Sequence, residues 1–204
     1  MRRVKWMLAV VLAAALLCGC MAGEDLGDVA DAALPGPATD DGGPFTVSSP
    51  AIVFEVLDAA YGNRGAVDEA GQPRAAITSP PLVFTNAPAG TVCYALRMQD
   101  TDSISVVGYV CDHWLAANIE ESALDENASL AAARQMVQGV NHENTVGYIG
   151  PAPPQGTAHT YVITVWALDE KLPLDEGFAL AELQEAMEGH VLGVAELTAS
   201  YSNY

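Results

Sequence analysis

The stretch GYIGPAPPQGTAHTYVITVWAL, residues 147–168, joins a proline-rich loop to a long apolar run. From Thr160 to Trp166 every residue is β-branched or aromatic, the composition of a strand. Both alternate faces are apolar. Tyr161, Ile163, Val165 and Ala167 fall on one, and Val162, Thr164, Trp166 and Leu168 on the other. A strand apolar on both faces lies centrally in a sheet with cover on both sides. Three further segments read as strands: TVCYALRM (91–98), HWLAANI (113–119) and VLGVAELTASY (191–201). Two helices are expected. One runs from about Asn127 to Val137, with Leu130, Arg134 and Val137 on neighbouring turns. The other runs from about Leu180 to Glu188, with Leu180, Leu183 and Met187 on one face and Gly189 as its stop. Many strands and few helices predict a mainly β fold, a β-sandwich with peripheral helices.

The chain start, MRRVKWMLAVVLAAALLCGC, sets the compartment. Arg2, Arg3 and Lys5 precede an apolar run from Trp6 to Leu17, too short for a comfortable membrane span and suited to a signal peptide. The run ends in Leu17-Cys18-Gly19-Cys20, which resembles a bacterial lipobox. That resemblance implies a signal peptide over residues 1–19 and a lipid on Cys20, with export and anchoring to the cell membrane or outer membrane. Residues 20–44 are rich in Gly, Ala, Pro and Asp and almost empty of large apolar groups. They read as a flexible acidic linker. One domain then occupies residues 45–204.

The 204-residue chain has 26 acidic and 8 basic residues. Loss of residues 1–19 removes three basic residues and no acidic ones, leaving 5 against 26 and a formal charge of −21. Such a surface repels phosphate backbones, so a nucleic-acid partner is excluded. Anionic membrane faces are repelled too, which leaves tethering to the acyl anchor.

Seven short motifs occur in order: SPPL (79–82), APAGT (87–91), DTD (100–102), HW (113–114), GYIGPAPPQGTAHTY (147–161), ALD (167–169) and GHVLGVAELTASY (189–201). Together they resemble the phosphatidylethanolamine-binding protein family, in particular its bacterial Raf kinase inhibitor-like branch. The resemblance spans about residues 45 to 203. It implies a β-sandwich of one large and one small sheet with helices near the chain end. It also implies a pocket for a small anion or phospholipid headgroup, which needs no cofactor and no metal. Carried across, the pocket comprises Asp100, Asp102, His113, Pro154, His159, Tyr161 and His190. Three positions depart from the family pattern. Thr101 and Ile104 stand where prolines are usual, and Thr160 stands where arginine is usual.

Prolines at 151, 153 and 154 restrict φ, while Gly150 and Gly156 permit turns, so the loop should hold its histidine in place. His159 is expected opposite His113, with Asp100 and Asp102 at the rim. Imidazole N–H groups would suit an anion and the carboxylates an ammonium, so a phosphoethanolamine-like zwitterion fits both. On a strand His159 and Tyr161 share a face and Thr160 takes the other. The segment HEN (142–144) reads as a solvated turn. No His-Glu-x-x-His spacing and no Gly-x-Ser-x-Gly elbow is present, which favours a binding module over an enzyme. The competing function is an inhibitor of an extracytoplasmic enzyme, acting on a protein partner through surface loops. Export permits a Cys93–Cys111 disulfide. If residues 93–99 and 112–118 form a hairpin, Cys111 falls opposite about residue 97 and out of reach of Cys93; other pairings leave the bond open.

Overall fold

A computed structural model describes residues 42–65, 77–131 and 135–204. The signal peptide, the lipobox cysteine and nearly all of the acidic linker lie outside the described residues.

The strands are β1 (Thr46–Ser48), β2 (Ile52–Val53), β3 (Val56–Leu57), β4 (Leu82–Thr85), β5 (Cys93–Asp100), β6 (Cys111–Ile119), β7 (Ala123–Leu124), β8 (Val137–Gln138), β9 (Ala158–Leu168) and β10 (Val191–Ser202). The helices are α1 (Ile104–Val107) and α2 (Leu180–Ala186). A large sheet runs β2-β3-β10-β9-β5-β6-β8 and a small one runs β1-β4-β7. The four long strands fall where β-branched and aromatic residues concentrate, and β9 lies between β10 and β5. Mainly β with two sheets is therefore the observed class.

The two faces of β9 are covered unequally. Tyr161, Ile163, Val165 and Ala167 are fully buried with Phe84 of the small sheet, Met98 of β5 and Trp114 of β6 in one core. On the other face Leu168 and Trp166 pack with Leu115, Phe178 and Leu183 in a second core beneath α2. Val162 stays only half-buried there, because α2 has just seven residues and covers one end of the strand. Helix α2 starts with the Glu182 carboxylate accepting from the Ala179 N–H, and Gly189 at φ +85 follows its end.

Over its described residues, 127–131 and 135–137, the expected helix is not formed. Asn127 takes a left-handed φ of 66, a single 3₁₀ turn covers Ala128–Leu130, and the chain is extended again at Val137. Gln138 draws this segment away from helical pairing. Its side-chain oxygen accepts from Trp114 Nε1 and Ser129 Oγ, and its amide nitrogen donates to the Ser129 carbonyl. Ser129 Oγ also accepts from the Tyr148 N–H, which ties this network to the start of the proline-rich loop. Buried polar groups satisfied in this way fix the backbone more firmly than one apolar stripe would.

Candidate functional site

Strands β5, β6 and β9 end side by side at a cleft of about 310 Å³. Its polar lining is Asp100, Ser103, Tyr109, Cys111, Glu143 and three histidines, His113, His142 and His159. Register explains the convergence. Asp100 pairs with Cys111 on one side and with Tyr161 on the other, so these three share one sheet face. His159, two residues before Tyr161, shares that face. His113 reaches it through a β-bulge, for Met98 pairs with Trp114 and Gln99 with Asp112, leaving His113 as the unpaired extra residue. The bulge thus lets the imidazole take the cleft while Trp114 keeps the core.

Each imidazole is oriented through Nδ1. His113 Nδ1 donates to the Ile149 carbonyl at 2.8 Å, and the Ile149 N–H returns a bond to the His113 carbonyl. His142 Nδ1 donates to the Asp112 carbonyl at 2.9 Å. His159 Nδ1 donates to Asp100 Oδ2 at 2.8 Å. The His113 and His142 rings lie 4.6 Å apart between centroids. Burial, with His142 alongside, pushes His113 down to about 4, so this ring is neutral near pH 7.

Asp100 is buried at 4% exposure and does not stand at the rim. Its Oδ1 accepts from the N–H groups of Asp102 and Ser103, so the DTD turn closes over the carboxylate without prolines. Asp102 points elsewhere, accepting from the Thr160 N–H at 2.7 Å. Tyr161 lies beneath the floor, its ring edge against His113. Its hydroxyl is buried without a hydrogen-bond partner, and burial beside Asp100 holds its proton firmly. Pro154 lines the cleft, and His190 does not: it sits beyond the far end of β9 with Asp169 and Glu170. Thr160 lies on the face away from His159, as alternation requires.

The proline-rich wall is pinned through its carbonyls. Asn63 donates its N–H to Pro151, Asn203 its side-chain amide to Pro153, and Thr157 its hydroxyl to Pro154. Only Gly156 of the two loop glycines uses positive φ, at +79.

His142 is the site residue the sequence reading missed. The HEN turn is exposed at Glu143 and Asn144, but His142 turns inward, its backbone N–H and its ring both bonding the Asp112 carbonyl. The one available signal was Asn141, whose side chain bonds Glu143, Thr145 and Gly147 and folds the HEN turn back onto β6. The disulfide that the sequence leaves open is not formed. Cys93 and Cys111 are free and buried, because Cys111 pairs with Asp100 and Cys93 begins the opposite end of β5. Among the described residues no three His, Cys, Asp or Glu side chains are arranged to hold a metal. A second cleft, of about 200 Å³, carries Glu120, Glu121 and Asp125 over an apolar floor and no imidazole.

Comparison with known proteins agrees with this architecture. The family model described as phosphatidylethanolamine-binding protein matches residues 48–202. The chain belongs to the phosphatidylethanolamine-binding protein family. Among its relatives, a UPF0098 protein of Methanothermobacter thermautotrophicus is 37% identical over 146 residues, 70% of this chain and 94% of the relative. A UPF0098 protein of Chlamydia muridarum is 39% identical over 127 residues, covering 60% and 81%. A crystal structure of a phosphatidylethanolamine-binding protein homologue from Chlamydia trachomatis, CT736, superposes with a TM-score of 0.67 at 30% identity, covering 79% of this chain and 99% of that one. YbcL of E. coli, described as a member of the mammalian family, gives 0.66 at 27%, covering 78% and 99%. The fold of this family member is thus shared over nearly the whole length of both neighbours.

Proposed function

We propose that this family member is an exported, lipid-anchored protein that binds a small zwitterionic headgroup of phosphoethanolamine type. The observation that carries the reading is the convergence of His113, His142 and His159 with Asp100 and Glu143 on one concave cleft. A cleft with a few oriented polar groups beside apolar walls is what small-molecule recognition requires. Anchoring rests on the sequence at Leu17-Cys18-Gly19-Cys20. Two experiments test the two halves. Phosphoethanolamine titrated into the protein should saturate, and His159→Ala should weaken it; a variant that binds as well as the wild type removes the pocket from the function. Cells fed a fatty-acid analogue should label the wild type, and Cys20→Ala should abolish the label.

One observation favours inhibition of an extracytoplasmic enzyme as a second reading. Phe54, at φ +50, is 95% exposed at the tip of the β2–β3 hairpin, where glycine or asparagine is the economical residue. An inhibitor working through that tip would lose activity in Phe54→Ala while headgroup binding stayed intact.

A further inference from the structure

The β2–β3 hairpin turns through Phe54 and Glu55, since Val53 pairs with Val56 across it. Both turn residues take positive φ, +50 and +60, as a type I′ turn requires. The turn is held from behind, where the Ser200 N–H donates to the Glu55 carbonyl at 2.7 Å. That bond fixes the backbone and leaves the Phe54 and Glu55 side chains exposed. Strand β2 is the outer strand of the large sheet, and Val53 and Val56 flank the Phe54 ring with further exposed apolar surface.

Beside the hairpin lies a groove of about 350 Å³, walled by Pro50, Ala51, Val53, Val56 and Leu57. The Phe54 ring does not enter it. The charged members of the groove are Asp58 and Arg64. Asp58 is engaged, its Oδ1 accepting from the Ala60 N–H. Arg64 lies over the Tyr201 ring and donates to Ser202 Oγ at 3.4 Å, and it meets no carboxylate among the described residues. The other described cations, Arg97 and Lys171, are paired with Asp112 and Glu120. The Glu55 carboxylate likewise has no partner among the described residues.

We propose that this edge is an interface between two copies of the chain, in which each Phe54 enters the other copy's groove and each Glu55 meets the other copy's Arg64. Complementarity of shape and charge argues for a second copy. The groove calls for an apolar knob with a carboxylate beside it, and Phe54 and Glu55 present that pair on one exposed turn. Knob and groove border the same hairpin, so a single two-fold axis satisfies both contacts at once. A buried aromatic side chain removes roughly 150–250 Å² from water. Two rings, their groove walls and the flanking valines reach about 1,000 Å², the low end for a specific interface, so association is weak and reversible. The interface is independent of the headgroup reading, and an enzyme held by the same tip is the rival occupant.

Photocross-linking of the full chain tests it, in cells and with purified protein, using p-benzoylphenylalanine at the position of Phe54. Illumination should give a product of twice the chain's mass, and peptide mapping should place the cross-link within residues 50–64 of the second copy. Glu55→Arg and Arg64→Glu should each lower the yield about fivefold or more, because each sets like charges against one another. Both residues are exposed, so neither reversal disturbs the core. The double variant restores opposite charges and should recover the yield, which separates a broken contact from a damaged fold. Single variants that cross-link like the parent, or a double variant that stays low, would overturn the interface. A cross-link mapped outside residues 50–64, or no product at all, would do the same. Cross-linking to a different protein alone would assign the tip to that partner and overturn the pairing of copies.

Discussion

His159 Nδ1 lies 2.8 Å from Asp100 Oδ2, and both side chains are buried. Asp100 Oδ1 meanwhile accepts from two backbone N–H groups of the following turn. One carboxylate thus fixes a β5–β6 turn and a β9 imidazole at once. This pairing sets the tautomer of His159 and with it the chemistry that the cleft presents.

Asp100→Asn should show both roles. The amide oxygen can still accept from Asp102 and Ser103, but the amide nitrogen would then face His159 Nδ1 as a second donor. His159 must move its proton to Nε2 or lose the contact. Loss of hydrogen bonds to a charged group predicts destabilisation of about 1.5–3 kcal/mol, measured by urea unfolding. A variant as stable as the wild type would mean that the pair adds nothing to the fold.

His113 predicts a pH dependence with a definite sign. Its folded value is about 4 against about 6.5 in an unfolded chain, because burial and His142 disfavour the cation more than Asp100 and the Ile149 carbonyl favour it. Between these values the unfolded state binds more protons, so stability rises with pH across that window and is lost on acidification. Full loss of this contribution would amount to about 3 kcal/mol. Urea midpoints taken from about pH 7 to pH 4 should fall more steeply in the wild type than in His113→Gln. Parallel curves would show that His113 does not titrate in this way.

The long strands were legible because their apolar residues alternate or run unbroken, and Gly189 marked the end of α2. The 127–137 segment was not, since a helical spacing of Leu130, Arg134 and Val137 says nothing about Gln138, whose buried bonds to Trp114 and Ser129 need the third dimension. The site was partly legible for a similar reason. Motif order named His113 and His159, and alternation put Thr160 on the far face. Position alone could not say that Asp102 turns to the Thr160 N–H, that His190 sits beyond the far end of β9, or that Asn141 swings His142 into the cleft. Cys93 and Cys111 illustrate the limit of register arguments. The hairpin was foreseen with Cys111 opposite residue 97, and the bulge and the length of β6 put it opposite Asp100.

That register predicts two free thiols. Cys93 lies seven residues from Asp100 along β5, roughly 23 Å at strand rise, where a disulfide needs Cα atoms within about 7 Å. Burial raises both thiols above their ordinary range, which slows reaction in the folded state. Alkylation followed by peptide mapping should modify both after denaturation without reductant, and neither quickly before it. A reductant-dependent signal at either position would contradict the pairing.

Thr160 gives the sharpest test of which face of β9 is functional. Its backbone is engaged on both sides, the N–H with Asp102 Oδ2 and the carbonyl with the Thr101 N–H. Its side chain is opposite His159 and Tyr161 and takes no part in lining the cleft. In Thr160→Arg the guanidinium would meet Asp102 on the outer face, a partly exposed pair of modest strength. Headgroup affinity should therefore change by no more than roughly 1 kcal/mol, as expected away from a binding site. His159→Ala removes a cleft group and also leaves Asp100 Oδ2 without its partner, so it should cost about 1.5 to 3 kcal/mol of binding. Calorimetric titration of both variants with phosphoethanolamine separates the cases. A tenfold gain from the arginine would place position 160 in the site and move the binding surface to the outer face of β9.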